Sequence, residues 1–215
     1  VLLSAKILTI CNNLLLQSGG KQLVKEKQLL KRKAIMDAVL KLMEEYEFDS
    51  LTVRMICDTA NISTGTFYHY FADKNALIYE ILGEIDSYLE EQAVDKLTNE
   101  DEYENMIEYG RIVMRQITST GHVIAGLISG IPLPNTHKGI TQEWERMFFS
   151  IPLQIVKKGQ EKGQFMTEIS ANEITDMYII YIRGFALDWA RRNGSYELEE
   201  KFSRYSTYFL QFIKK

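Results

Sequence analysis

Proline is scarce in this chain. Of 215 residues, only Pro132, Pro134 and Pro152 carry the ring that breaks an interior helix. Long helices are therefore permitted over most of the length. Cysteine is nearly absent as well. Cys11 and Cys57 show neither metal-ligand spacing nor a disulfide framework, and reduced cytoplasmic thiols are the expected state. Histidine is limited to His69, His122 and His137. No paired Cys/His arrangement accompanies them, so no catalytic residue, metal or cofactor is assigned and an enzyme is not expected. No run of eighteen apolar residues occurs, which removes a membrane-spanning helix from the expectations. No segment sustains period-two alternation with β-branched residues, and no internal repeat or low-complexity tract is present. The fold class expected is all-α.

Positive charge is also in deficit overall, with a net charge of −4. A polyanion, however, responds to local sign rather than to the total. Between Lys21 and Met43 there are seven basic residues (21, 25, 27, 31, 32, 33 and 41) against Glu26 and Asp37, a local excess of five positive charges. The acidic surplus lies further on, in stretches such as Glu100–Glu104 and Glu197–Glu200. Most of the early lysines, Lys25, Lys27 and Lys31 among them, read first as a solvated helix face.

The first twenty residues, VLLSAKILTICNNLLLQSGG, are apolar enough to imitate a secretory signal. Lys6 is a thin basic region, and Asn12-Asn13 interrupts the apolar stretch. We expect an extended or artificial start, or an extra helix, and assign residues 1–22 no function. From Leu23 to Tyr46 the apolar residues Leu30, Ala34, Ala38, Leu42 and Met43 recur at helical spacing.

Leu51–Leu77, LTVRMICDTANISTGTFYHYFADKNAL, carries the most information. Thr52 can cap a short helix whose Val53, Ile56 and Ala60 share a face. Asn61 suits the turn, because it tolerates the left-handed conformation. Ser63 can cap a second short helix with Ile62, Phe67 and Phe71 inward. That leaves Thr64, Thr66, Tyr68, His69 and Tyr70 on the other faces. Hydroxyls, polar-tipped aromatics and an imidazole suit phosphate oxygens and base edges in a major groove. Two short helices joined by a tight turn, the second presenting such groups, are what a helix-turn-helix requires.

At Thr52, Ile56, Ala60, Ser63, Gly65, Phe67, Tyr68, Tyr70, Phe71, Lys74 and Leu77 the chain resembles the TetR-type family of bacterial one-component regulators. The resemblance spans about Lys27 to Ile81 without a gap. Cys57 stands where the family usually has alanine, and Asn61 where it often has glycine; both fit the local packing and turn. The resemblance implies double-stranded DNA as partner. Thr52, Arg54, Ser63, Thr64, Gly65, Thr66, Tyr68, His69, Tyr70 and Lys74 become the candidate DNA contacts. Gly65 would let the backbone approach phosphate. Thr64 and Thr66 would reach base edges, and Lys74 would open a fourth helix and share a phosphate with that helix's amides.

The resemblance also implies two domains, 23–84 for DNA and 85–215 for an effector and a partner copy. A fourth helix from Lys74 to about Ala93 would link them. Beyond it, helices are expected over Glu102–Ile117, Gly121–Ile128, Gln142–Gly159, Asn172–Arg192 and Leu198–Ile213, with a loop at Ser129–Gly139. Met106, Tyr109, Met114, Trp144, Met147, Phe148, Tyr178 and Tyr181 are candidates for a small-molecule effector pocket, set against the simpler reading that most are core. The last two helices are too apolar to be covered on one side only. Gly184, Phe185, Trp189, Tyr205, Phe209 and Phe212 are therefore expected at a homodimer interface, which the family resemblance also implies.

The leading expectation is a cytoplasmic, ligand-responsive DNA-binding regulator that acts as a repressor. The rivals are a regulator controlled by a protein partner, an activator, and, last, an enzyme.

Overall fold

A computed structural model describes residues 21–130 and 146–215. The N-terminal segment, Trp144 and most of the expected Pro132/Pro134 loop lie outside the described residues. The side chains of Lys25 and Lys27 do so too. Among the described residues there are nine α-helices and no strand beyond one isolated bridge, so the fold is all-α. They divide into two compact units after Ile81.

The first unit begins with α1 (Lys21–Leu42), followed by a 3-10 turn (Phe48–Ser50), α2 (Val53–Ala60) and α3 (Thr64–Tyr70). The opening turns of α4 (Ala76–Lys96) complete it. Its core is the inward stripe of each piece. Ile35, Ala38 and Val39 come from α1, Ile56 and Cys57 from α2, Phe67 and Phe71 from α3 and its end, and Leu77, Ile78 and Ile81 from α4. Phe48 and Leu51 close the space beneath the turn. Cys57 is fully enclosed; burial pushes its thiol pKa up and the Asp58 charge adds to the rise.

The second unit holds the rest of α4, then α5 (Glu102–Thr120), α6 (His122–Gly130), α7 (Met147–Glu161), α8 (Ala171–Arg191) and α9 (Leu198–Phe209), which ends in a 3-10 turn (Leu210–Ile213). Helix α5 is its axis. Ten of its residues are buried, and it packs against α6, α7 and α9. Asp101 caps α5 by accepting the Tyr103 amide, and Ser170 caps α8 by accepting that of Glu173.

Two features of this core follow from single residues. Pro152 lies inside α7 and has no N–H to give the carbonyl of Phe148, four residues back. The Tyr109 hydroxyl supplies the missing bond, donating to that carbonyl at 2.6 Å. Gly110 on α5 leaves room where any Cβ would lie 2.1 Å from the Phe202 ring and 2.5 Å from the Tyr178 hydroxyl. That closeness lets Tyr178 donate to the Met106 carbonyl at 2.6 Å.

Candidate DNA-binding site

The site is built by local chemistry. Thr52 accepts the Met55 amide at 3.2 Å and so starts α2. Asn61 ends it in the left-handed region, at φ 52 and ψ 52. The Ile62 amide reaches back to the Cys57 carbonyl at 3.0 Å, closing a Schellman turn. One residue later Ser63 accepts the Thr66 amide at 3.1 Å and starts α3. Its hydroxyl also pairs with that of Thr66 at 2.9 Å. Thr66 is therefore half-buried and tied to the cap rather than projecting freely, which shifts the balance between the two threonines toward the exposed Thr64.

Phe67 and Phe71 face inward, with rings 5.7 Å apart. Helical rotation then turns the intervening residues outward. Tyr68 is 57 % exposed, edge-on to Phe67 at its base. His69 is exposed, and Tyr70 is half-buried against it in an edge-to-face pair. Arg54 on α2 is exposed, and Gly65 is exposed with only the Ser63 hydroxyl, at 3.7 Å, near its missing Cβ. One short helix thus presents a threonine, a bare backbone position, a phenol and an imidazole side by side.

Lys74 departs from its expected setting. Helix α4 starts at Ala76, with its amide held by Asp73 at 2.9 Å, so Lys74 precedes the helix instead of opening it. Its ammonium donates to the carbonyls of Phe48 and Asp49 at 2.8 and 2.9 Å and sits over the Phe48 ring. Both carbonyls belong to the 3-10 turn that leads into α2, and that of Phe48 also accepts the Leu51 amide at 3.1 Å. The sequence pointed to a phosphate contact at a helix start; these contacts, 26 and 25 residues away, leave no local signal.

Residues 35–81 match the model of the family described as bacterial regulatory proteins, tetR family. Over these residues the chain is similar to TetR-type regulators. Over 70 residues it is 33 % identical to the HTH-type transcriptional regulator BetI of Escherichia coli O139:H28 (strain E24377A / ETEC). That stretch is 33 % of this chain and 36 % of the relative, so the chain spans about a third of the length of the curated relatives it matches. The fold extends further. The fatty acid degradation regulator FadR from Bacillus halodurans superposes with a TM-score of 0.70 at 19 % identity, covering 85 % of this chain and 99 % of that one. FadR from Bacillus subtilis, solved in complex with stearoyl-CoA, gives 0.69 at 18 % identity, covering 84 % and 98 %.

The second unit treats its candidate residues differently from the head. Met106, Tyr109, Met114 and Tyr178 are fully buried core residues, not walls of an open cavity. The Tyr109 and Tyr178 hydroxyls are satisfied by backbone carbonyls, and burial holds both phenols neutral with pKa values pushed well up. Met147, Phe148 and Tyr181 are half-buried. A groove of about 760 Å³ lies elsewhere, lined by Glu100, Asp101, Tyr103, Lys162, Gln164, Lys214 and Lys215.

The proposed interface residues also split. Trp189 belongs to the core instead. It is 5 % exposed, and its indole N–H is bound to the Tyr196 carbonyl inside the same chain. Phe185 and Phe209 are half-buried around Tyr181, and Tyr181 and Phe209 are stacked with centroids 4.0 Å apart. Gly184, Tyr205 and Phe212 are exposed. Beside them lie further exposed residues: Met177, Ile180 and Leu187 on α8, and Tyr208 on α9. Helical spacing was the available signal: Met177, Ile180 and Leu187 stand seven, four and three residues from Gly184, and Tyr208 three from Tyr205.

Proposed function

We propose that this protein is a sequence-specific DNA-binding transcriptional regulator, a repressor released by a small molecule and working as a homodimer in the cytoplasm. The observation that carries the reading is α3, capped by Ser63 and anchored by Phe67 and Phe71, with Thr64, Gly65, Tyr68 and His69 outward. A side chain that only packed would not leave a tyrosine more than half exposed between two buried phenylalanines. Tyr68 and Tyr70 take phosphate, Thr64 and His69 approach base edges, and Arg54 supports the groove side. In a homodimer two such helices address successive major grooves, about 34–36 Å apart in the simplest geometry.

The exposed α8 stripe Met177, Ile180, Gly184 and Leu187, with Tyr205, Tyr208 and Phe212, supports dimerisation. Gly184 has nothing within 4 Å of where a Cβ would stand, so a second helix can come close there. An effector must bind the DNA-incompetent state more tightly than the competent one to cause release. Because the fold is shared with a FadR solved with stearoyl-CoA, long-chain acyl-CoA is the first effector class to try.

The deciding experiment is a fluorescence-anisotropy titration against the upstream intergenic DNA of the gene, over a salt series. Tight binding to one palindromic segment over competitor DNA is expected. Equal, strongly salt-dependent binding to every fragment would leave only the phosphate attraction and overturn the sequence-specific reading.

A further inference from the structure

Helix α3 is two turns long, too short to hold its own direction. Its start is fixed locally by Ser63. Its end is closed by the Phe71 amide, which donates to the Phe67 carbonyl at 2.9 Å, and a long-range contact is added there. Arg32, from the middle of α1, reaches across to it. The Arg32 Nη2 points at the carbonyl of Tyr70, the last residue of α3, at a long 3.4 Å. That carbonyl is one of the acceptors a helix C-terminus leaves unpaired, and a cation is favoured beside it. The other terminal nitrogen, Nη1, lies 2.7 and 2.6 Å from the two carboxylate oxygens of Glu80 on α4. The guanidinium also stands 5.2 Å from the centroid of the Phe71 ring, the residue that ends α3. One side chain therefore joins α1, the end of α3 and α4 within the same compact unit.

We propose that Arg32 is a positioning residue for DNA reading: locked by Glu80, it sets the direction of the recognition helix and contributes no phosphate contact of its own. The inference rests on the DNA-binding reading above. As a partly exposed ion pair it adds little to stability. Its effect is geometric, since both terminal nitrogens are in use and the single nitrogen of a lysine cannot stand at both of their positions.

Electrostatics makes the test sharp. If Arg32 were a phosphate ligand, its loss would lower the slope of log affinity against log salt by about one. Glu80→Gln, which removes a negative charge from the head, would leave DNA affinity unchanged or raise it. Positioning gives the opposite pattern. Arg32→Met and Glu80→Gln should each weaken operator binding by about tenfold with the salt slope unchanged, and the double variant should be no weaker than either single one. Arg32→Lys should fail to restore binding, and Arg32→Glu combined with Glu80→Arg should recover part of it.

Hydrogen exchange of the amides of residues 67–72 in the DNA-free protein gives a second reading. Exchange should quicken by the same factor in both single variants and no further in the double. A slope change with unaltered Glu80→Gln affinity would overturn the proposal, as would unchanged exchange in Arg32→Met. If the wild type shows no sequence-selective binding, the regulator reading fails, and the exchange measurement still decides whether Arg32 and Glu80 hold α3.

Discussion

Glycine has opposite meanings in the two units. Gly110 in the body is boxed in by Phe202 and Tyr178, so its lack of a side chain serves the protein's own packing. Gly65 in the head is exposed, with only the Ser63 hydroxyl, at 3.7 Å, near its missing Cβ, so packing does not require it. The same contrast runs through the tyrosines. Tyr109 and Tyr178 are buried with their hydroxyls bound to carbonyls, while Tyr68 stands outside. In the body the residues are chosen for one another. In the head several stand exposed, as the proposed DNA contact requires. The difference can be attacked from either side.

The hardest blow falls on the body. Phe202 is fully buried and touches Tyr178, Tyr181 and Phe185. Phe202→Ala should cost about 3–5 kcal/mol in urea unfolding, the range for a large aromatic removed from a core. A loss below about 1 kcal/mol would mean that the body is not packed around α5 and α9 as described.

Next is Tyr109→Phe, which leaves the Phe148 carbonyl without the donor that replaces the Pro152 amide. It should cost about 1–3 kcal/mol, the penalty for a buried acceptor left unpaired. Adding Pro152→Ala supplies an N–H to the same carbonyl, and part of the loss should return. If the second change only deepens the loss, the hydroxyl was not serving that carbonyl.

These two predictions also show why so little of the body was legible in the sequence. The helices could be placed from periodicity, and their ends moved by only a few residues. Which face of α8 looked outward could not. Trp189 and Ile180 both sit in an apolar helix, and only the long-range partners separate a core residue from an exposed one. The Tyr109–Phe148 bond spans 39 residues and the Tyr178–Met106 bond 72, so no local pattern encodes them. The head is the reverse. Thr52, Asn61 and Ser63 act within three to five residues of themselves, and the outward positions of α3 follow from two inward phenylalanines. Even there, the exceptions were the long-range contacts of Lys74 and Arg32.

A smaller effect is expected from Ser63→Ala. Loss of the cap should cost about 1 kcal/mol, and the Thr66 hydroxyl loses its partner with it. Hydrogen exchange at the Thr66 amide is the direct readout. No increase there would separate the cap from the start of α3.

Gly65→Ala should affect stability least and says most about the contrast. No atom lies closer than 3.7 Å to the new methyl group, and the helix prefers alanine to glycine by up to about 1 kcal/mol. The variant should thus unfold at the same urea concentration as the wild type or slightly higher. If the bare backbone there exists to let phosphate approach, the same methyl group will stand in the way, and operator affinity should fall while the fold gains. A stability gain with unchanged affinity would put Gly65 outside the DNA contact. A stability loss would place it with Gly110, as a residue the chain needs for itself.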